Sequence, residues 1–160
     1  IRQVASAALD RFVTMREAEG ARLKADIKSK LDAISGMVAV VEEASPRMTE
    51  QYRNRLDAKL EELLGSNGFD QQRILTEAAV FSEKVAVDEE TVRLRSHIQQ
   101  FHALLEDEEP VGRKLDFLIQ EMNREVNTIG SKAQELTITQ TVVNLKSEIE
   151  KIREQIQNIE

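Results

Sequence analysis

GRKLDFLIQEMNREVNTIGSK, residues 112–132, decides the fold class of this chain. At about 100° per residue, Leu115, Leu118, Ile119, Met122, Val126 and Ile129 form one apolar face of a helix. That face is enough to anchor the helix on a core. Asp116, Gln120, Asn123 and Asn127 form a second stripe, and Arg113, Glu121, Arg124 and Thr128 a third beside it. Solvated helix faces usually carry Lys and Glu, whereas Asn and Asp compete for backbone hydrogen bonds and are poor helix formers. Their alignment here points to a recognition surface. The alternative is a hydrogen-bonded polar network buried between helices.

The rest of the chain follows the same rhythm. Apolar positions from Leu9 to Val41 describe a long first helix over residues 2–43. Gly20 lies inside it at a cost of about 1 kcal/mol relative to Ala, which asks for a reason such as close approach of another backbone. Ser45 followed by Pro46 reads as an N-cap and first helical position, opening a second helix that ends at Leu64 before Gly65-Ser66-Asn67-Gly68. Asp70 is a plausible cap for a third helix through Ile74, Ala78, Phe81 and Val85. Asp88 with Glu89 and Glu90 caps a fourth, amphipathic through Leu94, Ile98, Phe101 and Leu105. An acidic turn, Glu106 to Glu109 with Pro110, leads into the fifth, expected at 110–129 with Gly130 breaking or bending it. In the last helix Ile138, Val142, Leu145, Ile149, Ile152, Ile156 and Ile159 alternate spacings of four and three, a heptad seam that needs a partner helix. The long first helix of the same chain is the expected partner, with another subunit as the alternative. The expected fold is all-α and elongated, with long first and last helices as a stalk and shorter ones as a head.

Composition limits the function classes. The 160 residues suit one helical module, with 41% hydrophobic residues, 4% aromatics, six Gly and two Pro. With no Cys there is neither a disulfide framework nor a zinc–thiolate site, which fits a cytoplasmic protein. No apolar run approaches the roughly 18 residues of a membrane span, and no signal peptide opens the chain. Because the chain starts at Ile1 already in helical register, the expectation is a single C-terminal helical domain over residues 1–160, preceded in the whole protein by an N-terminal domain. A net charge of −7 argues against nucleic-acid binding through a broad basic surface. An acidic protein can still act on nucleic acid where carboxylates hold divalent ions against phosphates.

On the fourth helix Glu90, Arg93 and His97 share a stripe at spacings of three and four. The short turn makes helices four and five antiparallel neighbours, so this stripe is expected to face Asp116, Gln120 and Asn123. A His between an Arg and carboxylates can act as a general acid or base; the structural alternative is a salt-bridge network. Glu121 and Glu125, one turn apart, and Glu17 and Glu19, flanking Gly20, offer oxygen ligands for Mg²⁺ or Mn²⁺. There is no Glu-x-x-His motif for a ferritin-like diiron site, no Gly-rich phosphate loop and no nucleophile motif. His102 is given no role.

These segments resemble the C-terminal helical domain of the YicC/YloC family of bacterial endoribonucleases. The resemblance rests on Glu89 to His97, on Gly112 to Lys132, on the ending IREQIQNIE at Ile152 to Glu160, and more weakly on REAEG at Arg16 to Gly20. It is strong from Asp88 onward, modest over 9–27, and limited to helical rhythm over 28–87. It implies a divalent-metal-dependent ribonuclease acting on single-stranded RNA, a homohexamer, and a separate N-terminal domain. The expected division of labour gives metal binding to Asp116, Glu121 and Glu125 with Glu90, and proton transfer to His97. Arg93, Arg113, Arg124 and Lys132 would hold phosphate oxygens, while Gln120, Asn123 and Asn127 would contact sugar or base edges. Glu17 and Glu19 are secondary candidates. Two rival readings are an oligomerisation module with catalysis elsewhere in the protein, and an RNA-binding adaptor that does not cut.

Overall fold

The computed structural model describes residues 2–64, 76, 79–80, 86–107, 110–133 and 135–157, almost all of them helical and none in a strand. Among the described residues four helices carry the fold: α1 (Arg2–Leu64), α2 (Asp88–Leu105), α3 (Gly112–Lys132) and α4 (Leu136–Gln157). α1 packs on α2 and α4, and α3 packs on α2 and α4, which closes a four-helix ring. The stretch expected as a third helix, Asp70 through Val85, lies outside the described residues apart from the helical Thr76, Ala79 and Val80.

The core is a set of matched seams. On α1 Ile27, Leu31, Ile34, Val38, Val41, Ala44 and Met48 are buried, and on α4 Ile138, Val142, Leu145, Ile149, Ile152 and Ile156. Both series step by three and four residues, the spacing that keeps one helical stripe on a partner. The heptad seam of α4 therefore finds its partner in α1 of the same chain, as expected. α3 adds Leu115, Leu118, Ile119, Met122, Val126 and Ile129, the apolar face read from the sequence, and α2 adds Leu94, Ile98 and Phe101.

Three local expectations are corrected. The chain does not break at Ser45-Pro46, because α1 continues through Pro46. Proline removes one backbone bond and costs about 3 kcal/mol inside a helix. Burial of Val41, Ala44 and Met48 on either side of it offsets that cost and holds both halves on the same core. Ser45 caps nothing there; its hydroxyl donates to Asp88 Oδ1 at 3.1 Å, tying α1 to the start of α2. Secondly, Asp88 is not the cap of α2 but its first residue, with Val87 at the N-cap, while Glu89 and Glu90 complete an acidic first turn. That turn complements the positive end of the helix dipole. Thirdly, Gly130 does not end α3, which continues to Lys132. A Cβ at Gly130 would stand 3.1 Å from Val142 Cγ1, so the glycine lets α3 and α4 approach closely.

Among the described helices α1 is by far the longest. At 63 residues it is about 95 Å long, and its N-terminal part leaves Leu9, Phe12, Val13 and Met15 exposed. Polar braces fix its register on the other helices. Arg95 donates to Glu42 at 2.7 and 2.6 Å and to Ser35 at 3.2 Å, His102 stands 3.7 Å from Asp32, and Lys24 and Lys28 both grip Glu106 at the end of α2.

Candidate functional site

The polar residues converge where α2 and α3 run antiparallel. Their facing stripes are Glu90, Arg93 and His97 on α2 and Glu121, Glu125 and Lys132 on α3. Ligand atoms of His97, Glu121 and Glu125 all lie within 4.8 Å of one another. Glu125 is buried, and His97 and Glu121 are half-buried. His97 Nδ1 is buried without a hydrogen-bond partner, an uncommon state for a buried polar atom.

Cations surround this cluster and orient it. Arg93 donates from Nε to Glu125 Oε1 at 2.9 Å, reaches Glu90 Oε1 at 3.4 Å and pairs with Glu89. The bond it donates to Glu125, followed by the charges of Glu125 and Glu89, raises the Arg93 pKa further above its ordinary range. Lys132 Nζ donates to Glu90 Oε1 at 2.8 Å and to the Ala86 carbonyl at 2.9 Å. Glu90 is only 3% exposed. Burying a carboxylate to that degree is costly without such partners.

The expected facing of the α2 stripe onto Asp116, Gln120 and Asn123 is not what forms. Those residues turn toward the α4 flank of α3, because the core face of α3 fixes its rotation and leaves the Glu121, Glu125 and Lys132 edge to α2. Asp116 accepts a bond from Gln120 at 2.9 Å and is absent from the donor cluster. Gln120, Asn123, Arg124, Asn127 and Thr128 instead line an open groove of about 480 Å³, with Ile119 at its base and Arg153 of α4 as its other wall. Arg124 spans the ridge between groove and cluster, 4.0 Å from Glu121. Arg113 is exposed on the first turn of α3.

Glu17 and Glu19 lie on the N-terminal part of α1, both exposed and away from the cluster. Glu19 and Gly20 border a cavity of about 840 Å³ at the α2–α3 turn. Among the described residues nothing stands within 4 Å of a Cβ built on Gly20, so none of their backbones makes the close approach expected for that glycine. Two contributors escaped the sequence reading. Arg153 sits in the ordinary i, i+3 charge pattern of α4, and the Ala86 carbonyl carries no side-chain signal.

A helical bundle that presents one imidazole and two carboxylates as a convergent donor set, braced by Arg and Lys, belongs to the class of all-α proteins with a candidate divalent-cation centre. Comparison with known proteins is more specific. The family model described as "Endoribonuclease YicC-like, C-terminal" matches residues 41–160. The chain is 44% identical over 161 residues to "Probable endoribonuclease YicC" of Clostridioides difficile (strain 630), covering 100% of this chain and 55% of that protein. It is 38% identical over 149 residues to the protein of the same name from Haemophilus influenzae (strain ATCC 51907 / DSM 11121 / KW20 / Rd), covering 93% and 51%. The chain belongs to the YicC-like endoribonuclease family. Similarity extends through residues 28–87, where the sequence motifs offered only helical rhythm. The chain spans about half the length of these curated bacterial relatives.

Proposed function

We propose that this chain is the C-terminal helical part of a divalent-metal-dependent endoribonuclease that cuts single-stranded RNA in the bacterial cytoplasm. The observation that carries the reading is the convergence of His97, Glu121 and Glu125 with an unpartnered buried imidazole nitrogen. The two hard carboxylate donors suit Mn²⁺ or Mg²⁺, and the imidazole beside them favours Mn²⁺ of the two. When bound, such an ion supplies Lewis-acid polarisation of a phosphoryl oxygen and activation of water or a 2′-hydroxyl.

The remaining roles belong to the chain itself. Arg93 holds the Glu125 carboxylate in place, and Lys132 with Arg93 holds Glu90. These bonds make Arg93 and Lys132 positioning residues rather than free phosphate ligands. Glu90 stands one ion pair behind the cluster. Arg124, 75% exposed beside Glu121, can meet a phosphate oxygen. Gln120, Asn123, Asn127 and Arg153 offer amides and a guanidinium to sugar, base or phosphate in the groove across the ridge.

Binding and cutting test this reading together. Calorimetry should show Mn²⁺ binding that weakens at least tenfold in Glu121→Gln and in His97→Ala while both variants keep their helical spectrum. End-labelled single-stranded RNA should be cut with Mn²⁺ or Mg²⁺ and spared under chelator. Parent-like cutting by both variants would remove the cluster from catalysis.

The exposed row Leu9, Phe12, Val13 and Met15 favours a second reading, an oligomerisation module with catalysis elsewhere in the protein. Assembly as a homohexamer is the form the family resemblance suggests. Under that reading His97→Ala changes particle size in light scattering and leaves cleavage unchanged. No described helix is long and apolar enough to cross a membrane.

A further inference from the structure

Phe117 is the one large apolar residue of α3 left out of the core, at 59% exposure. It borders a shallow groove of about 560 Å³ shared by α2 and α3, with Gln100, Ala103 and Leu104 on one side, Arg113 and Lys114 on the other, and Leu118 beneath. Lys114, Phe117 and Glu121 follow one another at spacings of three and four, so the ring lies one turn, about 6 Å, from the donor cluster. On α2, Gln100 follows His97 at the same helical spacing. The groove is therefore the continuation, along the α2–α3 seam, of the site already described.

We propose that Phe117, flanked by Arg113 and Lys114, is a nucleobase-stacking subsite that seats the RNA nucleotide neighbouring the one cut at the His97, Glu121 and Glu125 cluster. The proposal rests on the nuclease reading above and adds a binding position to it. An aromatic face beside free cations is the combination that holds single-stranded nucleic acid: the ring takes a base without regard to sequence, and the cations take the phosphates. Arg113 and Lys114 are exposed and have no ion-pair partner among the described residues. In a chain of net charge −7, two adjacent exposed cations beside an exposed ring complement a polyanion better than an apolar protein surface. The larger exposed apolar row, suited to a second copy, lies elsewhere, on α1.

The test uses the full-length protein and a short single-stranded RNA carrying 2-aminopurine at one position at a time. Fluorescence under chelator reads stacking without cutting, and cleavage with Mn²⁺ reads KM and kcat. One 2-aminopurine position, adjacent to the cut, should be quenched by the parent and by Phe117→Trp but not by Phe117→Ala. KM should rise about tenfold in Phe117→Ala, within the range expected for loss of one stacked base, with kcat changed much less. The paired change Arg113→Gln with Lys114→Gln should weaken binding and flatten its salt dependence. Parent-like quenching and KM in Phe117→Ala, while the parent cuts, would overturn the subsite and leave the nuclease reading intact. A parent that cuts no RNA would overturn both. Altered particle size in Phe117→Ala with unchanged RNA binding would assign the ring to a contact between copies and overturn the subsite.

Discussion

Replacing Lys132 by Met should destabilise the protein well before it impairs any chemistry. Met keeps the apolar stem and removes the ammonium, leaving the Glu90 carboxylate, 3% exposed, with a single long contact to Arg93 at 3.4 Å. The Ala86 carbonyl loses its donor in the same step. Removing one partner of a buried pair costs about 3–5 kcal/mol, because the other charge stays buried. Lys132 is 23% exposed, so water can partly replace it and about 2–3 kcal/mol is the better expectation. For a chain of this size that corresponds to a fall in Tm of about 4–12 °C. Glu90→Gln removes the buried charge but keeps an acceptor, and should cost about 1 kcal/mol. The double variant should then be less destabilised than the sum of the two, with a coupling of about 1–2 kcal/mol. Melting followed by circular dichroism at pH 7 measures all four proteins. A Lys132→Met protein that melts within about 0.5 kcal/mol of the parent yet fails to cut RNA would refute the positioning role and return Lys132 to direct phosphate contact.

Other consequences are open to similar measurements. Glu106 is pulled down to about 2 from an ordinary 4.5, first by the bond from Lys24 and then by that from Lys28. Its contribution is therefore complete above pH 4.5 and is lost as the pH falls through about 2. Glu106→Gln should flatten stability across that acid range, and about 0.5 M salt should shrink the effect because Glu106 is exposed and Lys24 and Lys28 are only half-buried; an unchanged acid profile would exclude the clamp. Pro46→Ala should raise stability by about 1–3 kcal/mol, since α1 is already continuous there. A lower Tm in that variant would mean that the proline shapes a bend the core needs. Gly130→Leu should lower stability by about 1–3 kcal/mol by overpacking against Val142, with partial recovery in Gly130→Leu/Val142→Ala measured by urea unfolding.

The legible parts of the fold were those where periodicity and burial agree. The apolar face of α3 and the seam of α4 from Ile138 to Ile156 were readable residue by residue, because a helix has one rotation that buries them, while Ile159 lies outside the described residues. Punctuation was less dependable. Ser45-Pro46 carries the local signature of a helix start, but local preferences of a few kcal/mol yield to a buried stripe that continues on both sides. Gly130 looked like a breaker for the same reason, whereas its small size serves a contact with Val142, a residue 12 positions away in sequence.

For the site, sequence alone determined the residue types and their helix faces: Glu90, Arg93 and His97 on one stripe, Glu121 and Glu125 one turn apart on another. It also carried the family likeness, since motifs are properties of order along the chain. Which stripe meets which was decided by the tertiary structure. Burying the apolar face of α3 between α2 and α4 turns the Glu121 edge toward His97 and the Asn123 edge toward Arg153, so Asp116 leaves the cluster and Arg153 joins the groove. A helix wheel gives angles within one helix. The rotation of one helix against its neighbours is set by the packing of all their apolar faces at once, and that is where the donor set came together.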